Sequence, residues 1–152
     1  MKKILLIAAM VLGFAVAATA QTRTMGARFG GGTILGADFS YQHSMGEDFI
    51  EANAGIDLNA VTISATGIYN FMIAQPAWTS RGEWGFYAGP GASVGLGVGE
   101  KNYLTLGAAG MVGLEYTFWF PLQLSIDFRQ HIGIGDGLWF PSSIGLGIRY
   151  RF

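Results

Sequence analysis

The chain has 152 residues, with nine Lys and Arg against ten Asp and Glu, 51% hydrophobic residues, 24 Gly and no Cys. That charge balance gives no basic footprint for nucleic acid. The lack of Cys excludes disulfides and a cysteine-linked lipid anchor, and it leaves two His without a thiolate partner for a metal site.

Lys2 and Lys3 precede an apolar run over residues 4–18, and Ala18-Thr19-Ala20 before Gln21 has the small-x-small form cut by signal peptidase. Residues 1–20 are therefore expected to be a cleavable signal peptide, and residues 21–152 one exported domain. From Gln21 onward, nine basic residues less Lys2 and Lys3 face ten acidic ones. No later apolar run approaches the roughly 20 residues of a membrane helix. Any membrane span in this part has to be built from strands.

Eight alternating segments follow, bounded by Gly, Asn, Asp or Pro. The first, near 23–31, sets Met25, Ala27 and Phe29 on the face opposite Arg28. The second, near 34–43, alternates Leu35, Ala37, Phe39 and Tyr41 with Asp38, Ser40 and Gln42. The third, 49–58, alternates Ile50, Ala52, Ala54 and Ile56 with Glu51, Asn53 and Asp57. The fourth places Val61, Ile63, Ala65, Tyr69 and Phe71 against Thr62, Ser64, Thr66 and Asn70. A long connection over 74–83 comes next. The fifth and sixth, 84–98 and 103–119, are joined by the hairpin signal Gly99-Glu100-Lys101-Asn102. The seventh, 122–134, opposes Leu122, Leu124, Ile126 and Phe128 to Gln123, Ser125, Asp127 and Arg129. The eighth, after Pro141, alternates Ile144, Leu146, Ile148, Tyr150 and Phe152 with Ser143, Gly145, Gly147, Arg149 and Arg151.

A single amphipathic strand also suits the edge of a soluble sandwich, but eight of them after a signal peptide predict another arrangement. The fold class expected is all-β: an eight-stranded antiparallel transmembrane up-and-down barrel. The polar parity holds Arg28, Asp38, Glu51, Asp57, Glu115, Asp127, Arg129, Arg149 and Arg151, four positive and five negative. So nearly neutral a set suits an enclosed interior charge network, because opposed Arg and carboxylate rows hydrogen-bond one another. Glu115, Asp127, Arg129 and Arg149 are expected to form one layer closing the lumen. The aromatic end of the last strand, Tyr150 and Phe152, is expected to be the signal read by the barrel-assembly machinery.

Residues 84–91, 113–118, 121–129 and 145–152, with Ser40-Tyr41-Gln42-His43, resemble small outer-membrane β-barrel proteins of Bacteroidota, of the OmpA/OmpX type. The resemblance implies a location in the outer membrane of a Gram-negative bacterium. It supplies no catalytic residue. An even strand number places both termini in the periplasm, with loop tips near Gly32, Asn59, Lys101 and Asp136 outside. The 74–83 connection then falls on the periplasmic side, against the short-turn habit of such barrels.

Asp127, His131 and Ser143 share the inward parity, so a Ser-His-Asp hydrolase acting on lipid is a candidate. The competing reading makes His131 and Asp127 part of the interior network. His43-Ser44 and Glu47-Asp48 read as polar residues at strand ends. Gly30 to Gly32 and Gly95, Gly97 and Gly99 precede no helix and are not phosphate loops. The small inward residues Gly95, Gly97, Gly107, Ala109, Gly133, Gly145 and Gly147 either relieve crowding in a narrow barrel or line a vestibule.

The function expected is a non-enzymatic, monomeric, porin-like barrel with a plugged polar interior and a structural or surface-interaction role. It takes no cofactor or metal, and its partners are outer-membrane lipids and lipopolysaccharide. The alternatives are a barrel that binds or transports a small molecule or amphiphile and, behind it, a hydrolase modifying lipid A.

Overall fold

The computed structural model describes residues 23–59, 61–99, 102–134 and 138–152. The expected signal peptide and the loop tips at Lys101 and Asp136 lie outside them. Alternation with period two becomes strand throughout: β1 Arg23–Gly32, β2 Gly36–Met45, β3 Asp48–Asp57, β4 Thr62–Ala74, β5 Glu83–Gly97, β6 Tyr103–Thr117, β7 Leu122–Ile134, the two-residue β8 Leu138–Trp139, and β9 Ser142–Arg151.

Each strand from β1 to β7 pairs antiparallel with the next, β7 pairs with β9, and β9 closes on β1. β8 is a short addition to the end of β7. Eight strands therefore form a closed barrel with no free edge, so the backbone groups that an open sheet would leave unpaired are consumed. The closing register sets Phe29 against Leu146 and Arg28 against Gly147. Between β2 and β3 the loop has only two residues, Gly46 and Glu47, and Gly46 takes φ 79°. That left-handed conformation at the first loop position is what a tight type II′ hairpin requires of glycine.

The strands differ in length. β1 to β3 have 10 residues each, whereas β5 and β6 have 15. The first and last described residues, Arg23 and Phe152, the 46–47 loop, the 75–82 connection and the 118–121 turn share one end of the barrel, here the termini end. The β4–β5 register shifts between Met72 and Ala74, next to the long connection.

Polarity is reversed relative to a water-soluble domain. Among the described residues, five hydrophobic side chains are buried, Phe49, Ile68, Tyr87, Ala109 and Met111, against eighteen polar or charged ones. An apolar core of five residues is too small to hold such a wall together by itself. Phe29, Phe39, Ile56, Ile63, Val112, Ile126, Ile144, Leu146 and Ile148 instead point outward and are each about half exposed. At the termini end a band of rings lies on this outer face: Trp78 packs edge-on against Trp84 and Phe86, and Trp84 meets Tyr116, which meets Phe118.

Inward glycines hold the room that large lumenal side chains fill. A Cβ on Gly113 would run into the ring of Tyr87, which is fully buried and edge-packed on Phe49 at 5.1 Å. On the outward parity of the same strand, the nearest atom to a Cβ on Gly110 is 4.0 Å away. Gly113→Ala is therefore expected to destabilise the barrel by about 1–3 kcal/mol, the usual range for overpacking. Gly110→Ala is expected to be neutral or slightly stabilising, since glycine weakens a strand interior. Reversible urea unfolding of the two variants checks the parity assignment, and equal effects at both positions would contradict it.

Candidate functional site

Across the lumen lies a layer of charged side chains drawn from five strands. Glu51 of β3 is its centre and is fully buried. Its Oε1 accepts from Arg149 of β9 at 3.1 Å, from Arg129 of β7 at 3.4 Å and from the Ser40 hydroxyl at 3.3 Å, while Oε2 accepts from the Gln42 amide at 3.0 Å. Arg129 also reaches Asp38 of β2 at 3.2 Å. Arg149 donates further to Ser40 at 2.8 Å and Ser125 at 2.7 Å. The carboxylate on one wall thus holds two guanidinium groups from the opposite wall.

A second centre lies beside it. Arg28 of β1 donates through Nε to Asp127 of β7 at 2.9 and 3.0 Å and through Nη2 to the Ser143 hydroxyl at 3.2 Å, and its Nη1 lies 3.6 Å from Asp38. Asp38 is therefore shared between Arg28 and Arg129 and joins the two centres. β9 runs between β1 and β7, and its Gly145 lets the Arg28 side chain pass; a Cβ there would collide with the guanidinium. Gly147 does the same for Arg149, whose Nη1 would lie 2.7 Å from an added Cβ. At these two positions the small residues accommodate the plug itself.

Six of the nine charges expected inside are thus in contact: Arg28, Asp38, Glu51, Asp127, Arg129 and Arg149. Three stand apart. Glu115 is buried nearer the termini end and, among the described residues, forms no ion pair. Asp57 lies at the other end, where its carboxylate caps the turn by accepting the Asn59 amide at 2.9 Å. Arg151 lines the mouth at the termini end. The expected layer of Glu115, Asp127, Arg129 and Arg149 is therefore recentred: Glu51, not Glu115, joins Arg129 and Arg149, and Asp127 pairs with Arg28. Ser40, Gln42, Ser125 and Ser143 complete the network. Their inward parity is visible in the sequence, but which guanidinium each one meets depends on the stagger of the strands around the barrel.

The residues considered for hydrolysis are committed elsewhere. Asp127 and Ser143 both take donors from Arg28, and the His131 Nδ1 lies 3.2 Å from the Ser93 hydroxyl. Among the described residues no hydrogen bond joins His131 to Asp127 or Ser143, as a Ser-His-Asp relay would need. Among the described residues no cluster of His and carboxylates is disposed to hold a metal ion. Tyr150 and Phe152 stack on the outer face with centroids 6.5 Å apart. What the layer can do is obstruct: the side chains of Glu51 and Arg149 have no exposed area, and Arg28 and Arg129 retain only 3%.

Comparison of the chain with protein-family models, with curated proteins and with solved structures finds no match.

The network geometry sets how its members couple. Losing one partner of a buried ion pair typically costs about 3–5 kcal/mol, because the remaining charge is buried and unmatched. Glu51→Ala is expected to fall in that range, since Glu51 is the one carboxylate paired with Arg149 among the described residues. A double-mutant cycle should give a larger coupling for Arg28 with Asp127, about 1–3 kcal/mol, than for Arg129 with Asp127. Urea unfolding of the single and double alanine variants measures both terms, and a larger Arg129–Asp127 coupling would contradict the pairing described.

Proposed function

We propose that the protein is an integral outer-membrane barrel with a closed polar interior and a non-enzymatic, structural or surface-interaction role. The observation that supports this most strongly is the inside-out distribution of polarity on a closed eight-stranded wall: ion pairs in the lumen and a belt of Ile, Leu, Val and Phe outside. In water such a belt is an aggregation liability, whereas in a bilayer it faces hydrocarbon. Closure of the sheet leaves no unpaired strand edge, which hydrocarbon would not tolerate.

The aromatic band at the termini end supports the same reading. Trp78, Trp119 and Phe120 are each exposed, beside Trp84 and Tyr116, and the Arg81 guanidinium sits 5.8 Å from the Trp119 ring. Rings with a polar edge, next to a cation, suit the boundary between acyl chains and headgroups. The 75–82 connection belongs to that girdle. Tyr116 donates its hydroxyl to the Arg81 carbonyl at 2.9 Å and Trp84 donates to Thr79 at 3.2 Å, so the connection is fastened along the outer wall at this end. Its length then has a use on the periplasmic side, where turns are usually short.

In this reading the chain is exported by residues 1–20, both ends of the barrel domain face the periplasm, and lipopolysaccharide and phospholipid are its solvent. The assembly machinery would recognise Tyr150 and Phe152, and the family resembled is that of the small Bacteroidota barrels.

Charge placed on the belt distinguishes a bilayer from water. Ile126→Arg and Leu146→Arg should each destabilise the barrel by about 2–4 kcal/mol in lipid vesicles, the cost of a cation at mid-membrane on a barrel's outer face. Urea unfolding in vesicles reads this. A native protein that stays dissolved without detergent, with both variants as stable as wild type, would refute the membrane reading.

A further inference from the structure

Beneath the charge layer, the termini end opens into a cavity of about 260 Å³. This is smaller than the roughly 300–1,000 Å³ of most ligand pockets, so a ligand there has to be small. Glu115 reaches it from β6 and Gln123 from β7. Both are more than nine-tenths buried, and both present an acceptor that receives no hydrogen bond among the described residues: Oε2 of Glu115 and Oε1 of Gln123. The buried cation Arg149 is spoken for, since it donates to Glu51, Ser40 and Ser125. A buried carboxylate oxygen and a buried amide oxygen without donors are costly unless a donor enters.

The surroundings indicate which donor. Three further carboxylates line the cavity: Glu47 and Glu83 as exposed side chains at the rim, and Asp48, whose oxygens accept from the Tyr69 hydroxyl and the Met72 backbone amide; the single cation of the lining is Arg151. Phe49 and Met72 supply apolar lining, and Met72 lies close to Glu115 across Gly85, where an added Cβ would be 2.9 Å from the Met72 sulfur and 3.3 Å from Glu115 Cγ. Acidic groups and apolar wall thus line the same small cavity. A metal ion finds no set of His and carboxylates here to coordinate it. A short chain of methylenes with an ammonium at each end matches a lining that combines buried acceptors, apolar side chains and rim carboxylates, and an ammonium donates three hydrogen bonds where two buried acceptors need donors.

We propose that this mouth is a binding site for a small linear diamine, with one ammonium on Glu115 and Gln123 and the other among the rim carboxylates. The ligand stops at the charge layer, so the site is a receptor pocket at a dead end. Under the orientation proposed above, it samples the periplasm.

Isothermal titration of the barrel in non-ionic detergent with 1,5-diaminopentane tests the site without requiring a membrane. The expected result is saturable binding at one site, weakened about tenfold or more by Glu115→Gln, since a hydrogen bond to a charged partner is worth roughly that factor. Arg151→Ser should tighten binding by roughly two- to fivefold, the range for an exposed charge. The uncharged 1,5-pentanediol should not bind. No saturable heat from the diamine, equal affinity of wild type and Glu115→Gln, or equal binding of the diol would each overturn the proposal. Should Glu115→Gln fail to fold, as read by loss of heat-dependent gel mobility, the Arg151→Ser titration decides, and unchanged affinity there counts against the site.

Discussion

The carboxylate of Glu51 is the constraint on which the rest of the interior depends. It accepts from two arginines of the opposite wall and from Ser40 and Gln42 beside it, in a lumen where five hydrophobic residues are buried among those described. The strand ladder alone fixes neighbouring strands. Facing walls need something else, and here ion pairs bridge them. Such pairs are expensive to desolvate and are weak evidence for net stability when compared with an apolar core of equal volume. Their effect on specificity is easier to argue: each arginine has a single set of partners at one stagger of the strands, so a slip by one residue would place every charge of that strand on the apolar face.

Much of this was legible in the sequence. β7 occupies the residues its alternation predicts, 122–134, because Leu122 to Phe128 alternate without a break between Pro121 and Gly135. β2 begins two residues later than expected and runs two further, to Met45, because the turn contracts onto Gly46 and Glu47, a two-residue loop permitted by the positive φ of the glycine. Inside and outside follow from parity alone. Partnership does not. Asp127 and Arg129 are neighbours on one face, yet residues two apart on a strand sit about 6.6 Å from each other and point to different parts of the opposite wall. The register of β9 with β1 and β7 instead brings Arg28 diagonally over Gly145 to Asp127. No local pattern encodes that stagger, which is a property of the closed ring.

The glycines illustrate the same limit. Read along the chain, Gly145 and Gly147 are compatible with an open vestibule or with relief of crowding. In the barrel they are recesses occupied by the guanidinium groups of Arg28 and Arg149. The long 75–82 connection also becomes intelligible only in three dimensions, where Thr79 and Arg81 fasten it to Trp84 and Tyr116 of the outer wall. The interior is thus divided into a closed middle and a mouth at the termini end, and the two parts have different tasks: the first holds the walls, the second offers acceptors.

Whether the cross-lumen layer closes the barrel is tested most directly by single-channel recording. Wild-type protein, folded and inserted in a planar bilayer, should stay electrically silent, whereas a Glu51→Ala barrel that still inserts should show added leak as the layer loosens. Discrete, stable steps of open current from the wild-type protein would contradict the account, because the Glu51 layer would then not be a plug.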